Sequence, residues 1–322
     1  MRIAQISPLA EAVPPKLYGG TERVVSWLTE ELVRQGHEVT LFASGDSTTS
    51  ARLIPGTDRG LRLQNINDHT ASNLVMLDHV RRRADEFDII HCHIDLLHYP
   101  MFQDMANKVV TTMHGRLDLA DFMPVYRAFP HMPLISISDN QRKPMPPEVN
   151  WLSTVYHGLP QEVCPFKPEG GQYLAFLGRI SPEKRPDRAI EIAKKAGVPL
   201  KIAAKVDRAD RIYFEEQIEP LLDHPLVEFI GEINETQKCD FLGNALALLF
   251  PIDWQEPFGL VMIESMSAGT PVIAWRNGSV PEVIEDGVGG VVVDSIDEAV
   301  AAVDTVKRMD RRTVRSYFES RF

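Results

Sequence analysis

A rhythm of short apolar runs separated by amphipathic stretches occurs twice along the chain, and it constrains the fold more than any other feature. In the first amphipathic stretch, residues 21–35, Val25, Leu28 and Leu32 fall on one face at helical spacing, which predicts a helix that stops at Gly36. Strands that alternate with such helices are typical of a parallel, doubly wound sheet. The first series of predicted strands covers residues 2–7, 38–43, 88–92, 108–113, 133–137 and 151–156.

The two series are separated by residues 157–171, which contain three prolines and three glycines. This composition favours a linker over a helix or a strand. A chain of 322 residues is too long for one typical core and suits two. We therefore predict two Rossmann-like α/β domains, residues 1–160 and 161–310. The second series of predicted strands covers residues 173–178, 199–204, 226–230, 245–250, 271–275 and 290–293.

Charge and cysteine content narrow the class of protein. The net charge is −11 and neither half is basic, which argues against nucleic acid as a partner. Cys92, Cys164 and Cys239 form no CxxC pair, so we expect unpaired thiols and a reducing, cytoplasmic location. No stretch approaches the ~20 apolar residues that span a bilayer. The basic run at 81–83 fits a solvated helix face, and contact with a membrane surface stays open.

Two loops at predicted strand ends have the chemistry of an anion site, because glycines and helix N-termini there offer free N–H groups. Gly19 and Gly20 follow the first strand and allow close backbone approach, although a flexible loop fits them equally. Arg179 and Lys184 follow the first strand of the second series. They can bind phosphate oxygens, or they can form a surface pair with neighbouring acidic residues.

Two carboxylates eight residues apart flank a third such loop. A buried strand is expected to end near Phe250, and a helix to begin near Gly259, so that Glu264 lies in its second turn. Glu256 and Glu264 could then accept hydrogen bonds from the hydroxyls of a sugar and a ribose. The alternative is that Glu264 is an exposed helical residue and Glu256 a cap.

Histidines cluster at strand ends in the first half. His91 and His93 end one predicted strand and His114 ends the next, where a histidine can bind a substrate hydroxyl or transfer a proton. Each can equally be a structural residue with all its hydrogen bonds satisfied. A metal site at His91 and His93 lacks an evident third ligand, and the sequence has no Asp-x-Asp pair.

The stretch from Glu256 to Gly290 closely resembles the donor-site signature of the family 4 glycosyltransferases, retaining enzymes of the GT-B type. The core of that signature is a Glu, seven residues, and a second Glu, here Glu256 and Glu264. Residues 178–184, the Gly19-Gly20 pair and the Thr-x-His-Gly sequence around His114 also match, so the resemblance covers essentially the whole chain.

The resemblance implies two Rossmann-like domains whose parallel sheets face each other across a cleft. The domain over residues 1–160 would lie on the acceptor side, and the domain over 161–310 would bind a nucleotide-sugar donor. Residues 311–322 would form the start of a C-terminal helix that crosses back towards the first domain. The chain ends soon after, so we expect this interdomain helix to be incomplete.

The resemblance also implies roles for individual residues. Arg179 and Lys184 would hold the donor diphosphate, Glu264 the ribose, and Glu256 the transferred sugar. The implied catalytic residues are His114, Arg179, Lys184 and Glu256, and the implied donor-binding residues are Gly19, Gly20, Ile230, Phe258, Gly259, Leu260 and Glu264.

The chain departs from the family pattern at three places. It has Asn277-Gly278-Ser279 where two glycines are usual, His157 where an asparagine is usual, and 203–207 where a glycine-rich turn is usual. Lys205 in the last segment is a candidate for a third phosphate contact. These departures leave the base and the sugar open.

The expected function is therefore that of a hexosyltransferase. It would move a sugar with retention from a UDP- or GDP-sugar to a glycan, lipid-linked or small-molecule acceptor, with no metal and no other cofactor. Fixed cations and a helix N-terminus would stabilise the departing diphosphate. The alternatives are a sugar-nucleotide epimerase or phosphorylase on the same scaffold, and a non-catalytic nucleotide-sugar-binding protein.

Overall fold

The computed structural model describes residues 1–16, 19–64 and 66–322. Tyr18, which belongs to the sequence segment of the first glycine loop, lies outside the described residues. The chain divides into two units, Met1–His157 and Gly158–Phe322.

The first unit contains a sheet of seven parallel strands in the order β3-β2-β1-β4-β5-β6-β7. Its strands are β1 (Arg2–Ile6), β2 (Glu38–Ser44), β3 (Arg52–Thr57), β4 (Ile89–Cys92), β5 (Val109–Thr112), β6 (Leu134–Ser136) and β7 (Trp151–Thr154). Its helices are α1 (Gly20–Arg34), α2 (Thr70–Arg82), α3 (Tyr99–Phe102), α4 (Met123–Ala128) and α5 (Asp139–Arg142).

The second unit contains six parallel strands in the order β10-β9-β8-β11-β12-β13. Its strands are β8 (Leu174–Arg179), β9 (Leu200–Lys205), β10 (Val227–Gly231), β11 (Ala247–Phe250), β12 (Val272–Trp275) and β13 (Gly290–Val293). Its helices are α6 (Pro186–Ala196), α7 (Arg211–Tyr213), α8 (Glu219–Leu222), α9 (Glu235–Gly243), α10 (Leu260–Ser267), α11 (Val280–Val283), α12 (Ile296–Val306) and α13 (Arg311–Arg321).

The strand order confirms the predicted α/β class with two Rossmann-like domains. Each sheet winds outwards in both directions from a central pair, β1 and β4 in the first unit and β8 and β11 in the second. Such a switch point leaves a crevice outside the carboxyl ends of the two central strands, where ligands of this fold bind. β11 and β12 are buried along their whole length, as expected for strands covered on both faces.

Strand β3 was not predicted from the sequence. It contains Pro55 and Gly56, and it pairs only with β2 at the edge of the sheet. An edge strand tolerates proline because one side of its backbone needs no partner in the ladder. The sequence pattern therefore lacked the β-branched run that identifies a central strand.

The cysteine prediction was wrong for two of the three residues. Cys164 and Cys239 form a disulfide with a Cα–Cα distance of 5.0 Å, although they lie 75 residues apart. The fold brings the linker segment that follows Gly158 against α9, which sequence spacing does not show. Cys92 is a free and buried thiol.

The last helix, α13, packs against α10 inside the second unit. Its first residue, Arg311, is buried and donates to the backbone carbonyls of Lys167, Gly243 and Ala245. No helix among the described residues has both the length and the apolarity needed to cross a bilayer.

Candidate donor-binding site

The predicted anion-binding residues of the second unit lie at its switch point. Arg179 is the last residue of β8, and Glu256 lies in the loop that follows β11. Because β8 and β11 are hydrogen-bonded neighbours, their carboxyl ends meet at one edge of the sheet. The structure thus brings together residues that are more than seventy positions apart in the sequence.

Glu256 is a buried carboxylate, with 8% of the residue exposed, and it is held from two sides. Lys184 Nζ and Trp254 Nε1 both donate to its Oε2. The Lys184 ammonium also lies 4.9 Å from the centroid of the Trp254 ring. Removal of water strengthens such a charge pair, so this lysine and this carboxylate hold each other in one arrangement.

Glu264 is also buried, with 5% of the residue exposed, in the second turn of α10. The alternative in which it is an exposed helical residue is therefore wrong. Lys238 from α9 donates to Glu264 Oε1 and lies 2.8 Å from an oxygen of Glu235. Both predicted site carboxylates are thus paired with lysines from other elements.

Helix α10 begins at Leu260, and no side chain caps its N-terminus. Gly259 precedes it with φ 82°, and an added Cβ there would lie 2.8 Å from Met262 Cε. The positive φ favours glycine at this position, since the Met262 side chain could move away from a Cβ. The first N–H groups of α10 are therefore available to an anion in the manner typical of phosphate-binding helices.

Arg179 contacts acidic residues in this structure. Its guanidinium lies 2.9 Å from Glu183 and 3.7 Å from both Asp207 and Asp210. Lys205, the candidate third phosphate contact, lies 2.9 Å from Asp207. Burial raises the pKa of Asp210, and the Arg179 charge opposes that shift. A diphosphate would have to compete with these carboxylates for the two cations.

The loop that carries Glu256 rests on the segment 277–279. Ser279 donates from its backbone N–H to the Glu256 carbonyl at 3.0 Å and from Oγ to the Phe258 carbonyl at 2.8 Å. Asn277 Nδ2 donates to the Ile252 carbonyl at 3.0 Å. The departure from the family pattern in this segment thus supplies side chains that support the loop.

Ile230, one of the implied donor-binding residues, lies one residue before the end of β10 and is 37% exposed. Gly231 follows it with φ 75° at a shift in the strand register. An exposed apolar side chain at the carboxyl end of a strand is available for stacking against a ring.

Four histidines of the first unit, His91, His93, His114 and His157, form a cluster through ring contacts and hydrogen bonds. His93 Nε2 lies 2.7 Å from Gln5 Oε1, and His93 Nδ1 lies 2.8 Å from His114 Nε2. His157 stacks on His114 with an interplanar angle of 15°. His91 Nε2 lies 2.7 Å from Thr112 Oγ1. His91 and His93 therefore bind protein groups in this structure.

The Gln5 amide sets the positions of the protons in this cluster. Its oxygen accepts from His93 Nε2–H, so the Nδ1 of a neutral His93 must accept from His114 Nε2–H. His114 Nδ1 is then an unprotonated acceptor, and it is buried without a partner among the described residues. Burial lowers the pKa of His91 to about 4 and of His157 to about 3, and it lowers the pKa of His93 and His114 well below the ordinary value.

Gly19 and Gly20 lie at the start of α1, after β1 and so next to the switch point of the first unit. An added Cβ on Gly19 would lie 2.8 Å from Pro15 Cβ, so this position requires glycine. No side chain among the described residues caps α1. Glu22 in its first turn is buried, and burial raises its pKa.

Sequence reasoning missed three residues of these clusters: Lys238, Trp254 and Gln5. Lys238 lies in a helix with no marked apolar face, and Gln5 is one polar residue inside an apolar strand. Of these three, only Gln5 could have been found from the sequence. A polar residue in a buried strand indicates a hydrogen-bond partner, since an unpaired buried amide is costly.

Comparison with known proteins agrees with this arrangement. The model of the family "Glycosyl transferases group 1" matches residues 164–317, and that of "Glycosyltransferase Family 4" matches residues 18–137. Between them the two models cover most of the chain, with one match in each unit.

Individual proteins give the same result. The chain is 25% identical to a phosphatidyl-myo-inositol mannosyltransferase of Mycolicibacterium smegmatis, over 94% of this chain and 84% of that one. It is 26% identical to a glycogen synthase of Mycobacterium tuberculosis, over 95% and 86% of the two chains. Among solved structures, Anabaena HepE in complex with UDP and glucose has a TM-score of 0.74 at 18% identity, over 100% of this chain and 95% of that one.

The two parallel sheets with their switch points and the matches over both units lead to one conclusion. The chain belongs to the family 4 glycosyltransferases of the GT-B fold, and it is a hexosyltransferase that acts on nucleotide-sugar donors.

Proposed function

We propose that this enzyme transfers a hexose from a UDP- or GDP-sugar to a hydroxyl group of an acceptor, with retention of configuration. The observation that carries the proposal is the pairing of two buried carboxylates with lysines, Glu256 with Lys184 and Glu264 with Lys238, beside the uncapped N-terminus of α10. This set offers acceptors for sugar hydroxyls and positive charge for phosphates within one loop and one helix.

The donor is assigned to these groups as follows. Lys184, Arg179 and the backbone N–H groups from Phe258 to Leu260, at the start of α10, bind the diphosphate. Glu256 binds hydroxyls of the transferred sugar and Glu264 those of the ribose, since carboxylates accept hydrogen bonds from hydroxyls well. Lys205 gives a further phosphate contact, and Ile230 packs against the base. UDP is the first nucleotide to test, because HepE is similar in fold and its structure contains UDP.

In the first unit, Gly19 and Gly20 offer the backbone N–H groups at the start of α1 to the donor phosphate. His114 contacts the transferred sugar. Its Nδ1 is an acceptor in the described tautomer, so it suits a sugar hydroxyl as donor.

The reaction breaks the bond between the anomeric carbon and the diphosphate oxygen, and both bonding electrons leave with the diphosphate. Lys184, Arg179 and the N-terminus of α10 stabilise the charge that gathers there in the transition state. The acceptor hydroxyl attacks the face of the sugar from which the diphosphate leaves, and a donor phosphate oxygen takes the proton of that hydroxyl. In this scheme the fixed cations supply the charge stabilisation that a divalent ion supplies in other enzymes.

The acceptor is proposed as a class. The relatives include one protein named for a lipid-linked inositol and one named for glycogen. A glycan or a lipid-linked hydroxyl is therefore the first acceptor to test, together with small sugars. A lipid-linked acceptor would require contact with a membrane surface during turnover.

The proposal is tested by calorimetric titration of UDP, GDP and their glucose and mannose derivatives into the native enzyme, Glu264→Ala and Lys184→Ala. Matched controls are Glu191→Ala and Lys195→Ala, which break an exposed ion pair on α6 in the same unit. We expect one nucleotide series to bind, both site variants to weaken it at least tenfold, and both controls to bind like the native enzyme. Equal effects of site and control variants would contradict the assignment.

Retention and metal independence are tested in an assay of the transfer reaction itself. Proton NMR of the product identifies the anomer that forms first, and the same assay with excess chelator tests the proposed charge stabilisation by cations alone. An inverted product, or activity that disappears with chelator and returns with Mg²⁺, would contradict these two parts of the proposal.

A further inference from the structure

Lys238 has an unusual position for a helical lysine. It lies on α9, its side chain is only 14% exposed, and it contacts two carboxylates, Glu264 and Glu235. Other lysines, such as Lys195 and Lys307, pair on the surface, where an ion pair contributes little to stability. Lys238 instead reaches the Glu264 side chain, which is 7% exposed, and so lies beside the carboxylate assigned to the ribose.

The hydrogen-bonding capacity of the pair is not filled. An ammonium group has three N–H donors, and Lys238 donates one of them to Glu264 Oε1, while its contact with Glu235 is an ion pair at 2.8 Å. Glu264 accepts at Oε1, and its Oε2 has no partner within the described part of the chain. At least one donor and one acceptor therefore remain next to each other on two side chains that are mostly buried.

A vicinal diol is the ligand that matches this pair. Each hydroxyl of a ribose donates one hydrogen bond and accepts another, so neighbouring hydroxyls can donate to a carboxylate and accept from an ammonium at the same time. Hydrogen bonds to charged groups in a mostly buried site are stronger than those between neutral groups. A nucleotide without one of the hydroxyls would lose a hydrogen bond to a charged group in this site.

The position of α9 supports a binding role for Lys238 over a purely structural one. The helix is fixed at its start by a capping box between Asn234 and Gln237, and in its middle by the disulfide at Cys239. It therefore has anchors that do not involve Lys238. A second ion pair on the same helix, between Asp240 and Lys167 at 3.3 Å, lies away from Glu264 and provides a matched control.

We propose that Lys238 and Glu264 together bind the ribose diol of the donor nucleotide, so that Lys238 sets the selectivity of the enzyme for ribonucleotides over deoxyribonucleotides. This inference rests on the proposed function, because it assumes that Glu264 faces a nucleotide.

The test is calorimetric titration of UDP, 2′-deoxy-UDP and 3′-deoxy-UDP into the native enzyme, Lys238→Met, Lys238→Gln, Lys238→Arg, Glu264→Gln and the control Asp240→Asn. The same series with GDP and its deoxy analogues is run in parallel. The measured quantity is the Kd of each deoxy analogue divided by the Kd of the parent nucleotide. Thermal unfolding of each variant shows whether it is folded.

We expect the native enzyme and Asp240→Asn to bind at least one deoxy analogue about tenfold or more weakly than the parent, as for the loss of a hydrogen bond to a charged group. Lys238→Met should bring that ratio down to about threefold or less, Lys238→Gln should give an intermediate ratio, and Lys238→Arg should restore most of it. If Lys238→Met does not fold, Lys238→Gln provides the test: a ratio below the native one supports the inference, and an unchanged ratio contradicts it.

The outcomes separate the two proposals. Suppose that the native enzyme binds nucleotide, that Glu264→Gln weakens this binding, and that the Lys238 variants keep the native ratios of Kd values. In that case the inference about Lys238 is wrong and the proposed function stands. If neither UDP nor GDP binds the native enzyme, the proposed function fails and the inference fails with it.

Discussion

The two carboxylates of the donor site show how this chain keeps charges away from water. An unpaired buried carboxylate is costly, so such groups are found with a partner. Glu256 and Glu264 each have a lysine, and the two lysines come from different elements, the turn before α6 and the helix α9. The pairing holds each carboxylate in one orientation before a ligand arrives.

The Lys184–Glu256 pair gives a prediction that separates folding from function. Lys184→Met leaves the buried Glu256 carboxylate without its cation and with only the Trp254 hydrogen bond, and it should lower the free energy of unfolding by about 3 kcal/mol. Lys184→Met combined with Glu256→Gln removes both charges and should recover most of that loss. Neither variant should transfer sugar. Chemical denaturation and a transferase assay measure the two properties.

The control for this cycle is Lys195→Met alone and with Glu191→Gln, an exposed pair on α6. These changes should alter the free energy of unfolding by less than about 1 kcal/mol. If the double variant at Lys184 and Glu256 were as unstable as the single one, the pair would not be the source of the loss.

The histidine cluster gives a second prediction, about protons. In the native enzyme, nitrogen-15 NMR should find His93 and His114 neutral at pH 7 and protonated on Nε2. Gln5→Leu removes the acceptor of His93 Nε2–H, so both rings should lose their single tautomer and the transferase kcat should fall about tenfold or more. His98→Gln, a change at a buried histidine outside the cluster, is the control.

A single native tautomer that survives in Gln5→Leu would show that Gln5 does not set it. An Nδ1-protonated His114 in the native enzyme would overturn the orientation described here.

At the residue scale, the sequence identified the two carboxylates that the structure shows to be buried and paired, and it missed the groups that contact them. Glu256 and Glu264 were found because their spacing places both beside the start of one helix. Lys238 and Gln5 could not be found in the same way, since their partners lie on other elements and are brought together only by tertiary packing.

Among the elements, the loop after β11 depends on a neighbouring loop for its shape. Gly278 has φ 59°, and an added Cβ would lie 2.3 Å from the backbone nitrogen of Glu256. Backbone atoms cannot yield as a side chain does, so the two loops fit only with glycine at this position. Ser279 then ties the second loop to Glu256 and Phe258 through hydrogen bonds.

Gly278→Ala should therefore displace Glu256, and we expect donor affinity and kcat/KM to fall at least tenfold together with a loss of about 1–3 kcal/mol of stability. Gly287→Ala is the matched control, because it has φ 80° and no atom within 4 Å of an added Cβ. This variant should lower the free energy of unfolding by about 1–2 kcal/mol and leave donor binding unchanged. Equal donor affinity in the two variants would show that the contact between the loops does not position Glu256.

Prediction of the elements succeeded where the pattern was regular. The buried central strands and the helix that begins after Gly259 were found, because apolar runs and glycine breaks identify them locally. The edge strand β3 was missed because Pro55 and Gly56 interrupt its pattern, and the disulfide was missed because a pair 75 residues apart leaves no local signal.

For the whole molecule, the buried histidines determine how stability depends on pH. Burial lowers the pKa of five of them below the ordinary value of 6.5: His91, His93, His98, His114 and His157. The unfolded chain therefore binds more protons than the native one below pH 6.5, so stability rises with pH in that range. The raised pKa of Glu22 acts in the opposite direction, since its protonation favours the native state.

We predict that the melting temperature is nearly constant above pH 7 and falls steadily from pH 6.5 to about pH 4, before most carboxylates titrate. A loss of 1 kcal/mol corresponds to about 2–4 °C for a domain of this size, so differential scanning fluorimetry can follow it. His157→Asn should flatten this decline, whereas His79→Asn at an exposed position should not. A melting temperature that stays constant down to pH 4 would contradict the prediction.

The distribution of the three cysteines makes the enzyme a convenient subject for fluorescence measurements. Cys164 and Cys239 are bonded to each other, and Cys92 is buried with a thiol pKa raised by burial, so no native sulfur should react with a maleimide. A cysteine introduced at exposed Asp85 in the first unit and another at exposed Asp223 in the second would then be the only reactive sites. Energy transfer between dyes at these two positions would report, molecule by molecule, whether the two units move when donor and acceptor bind.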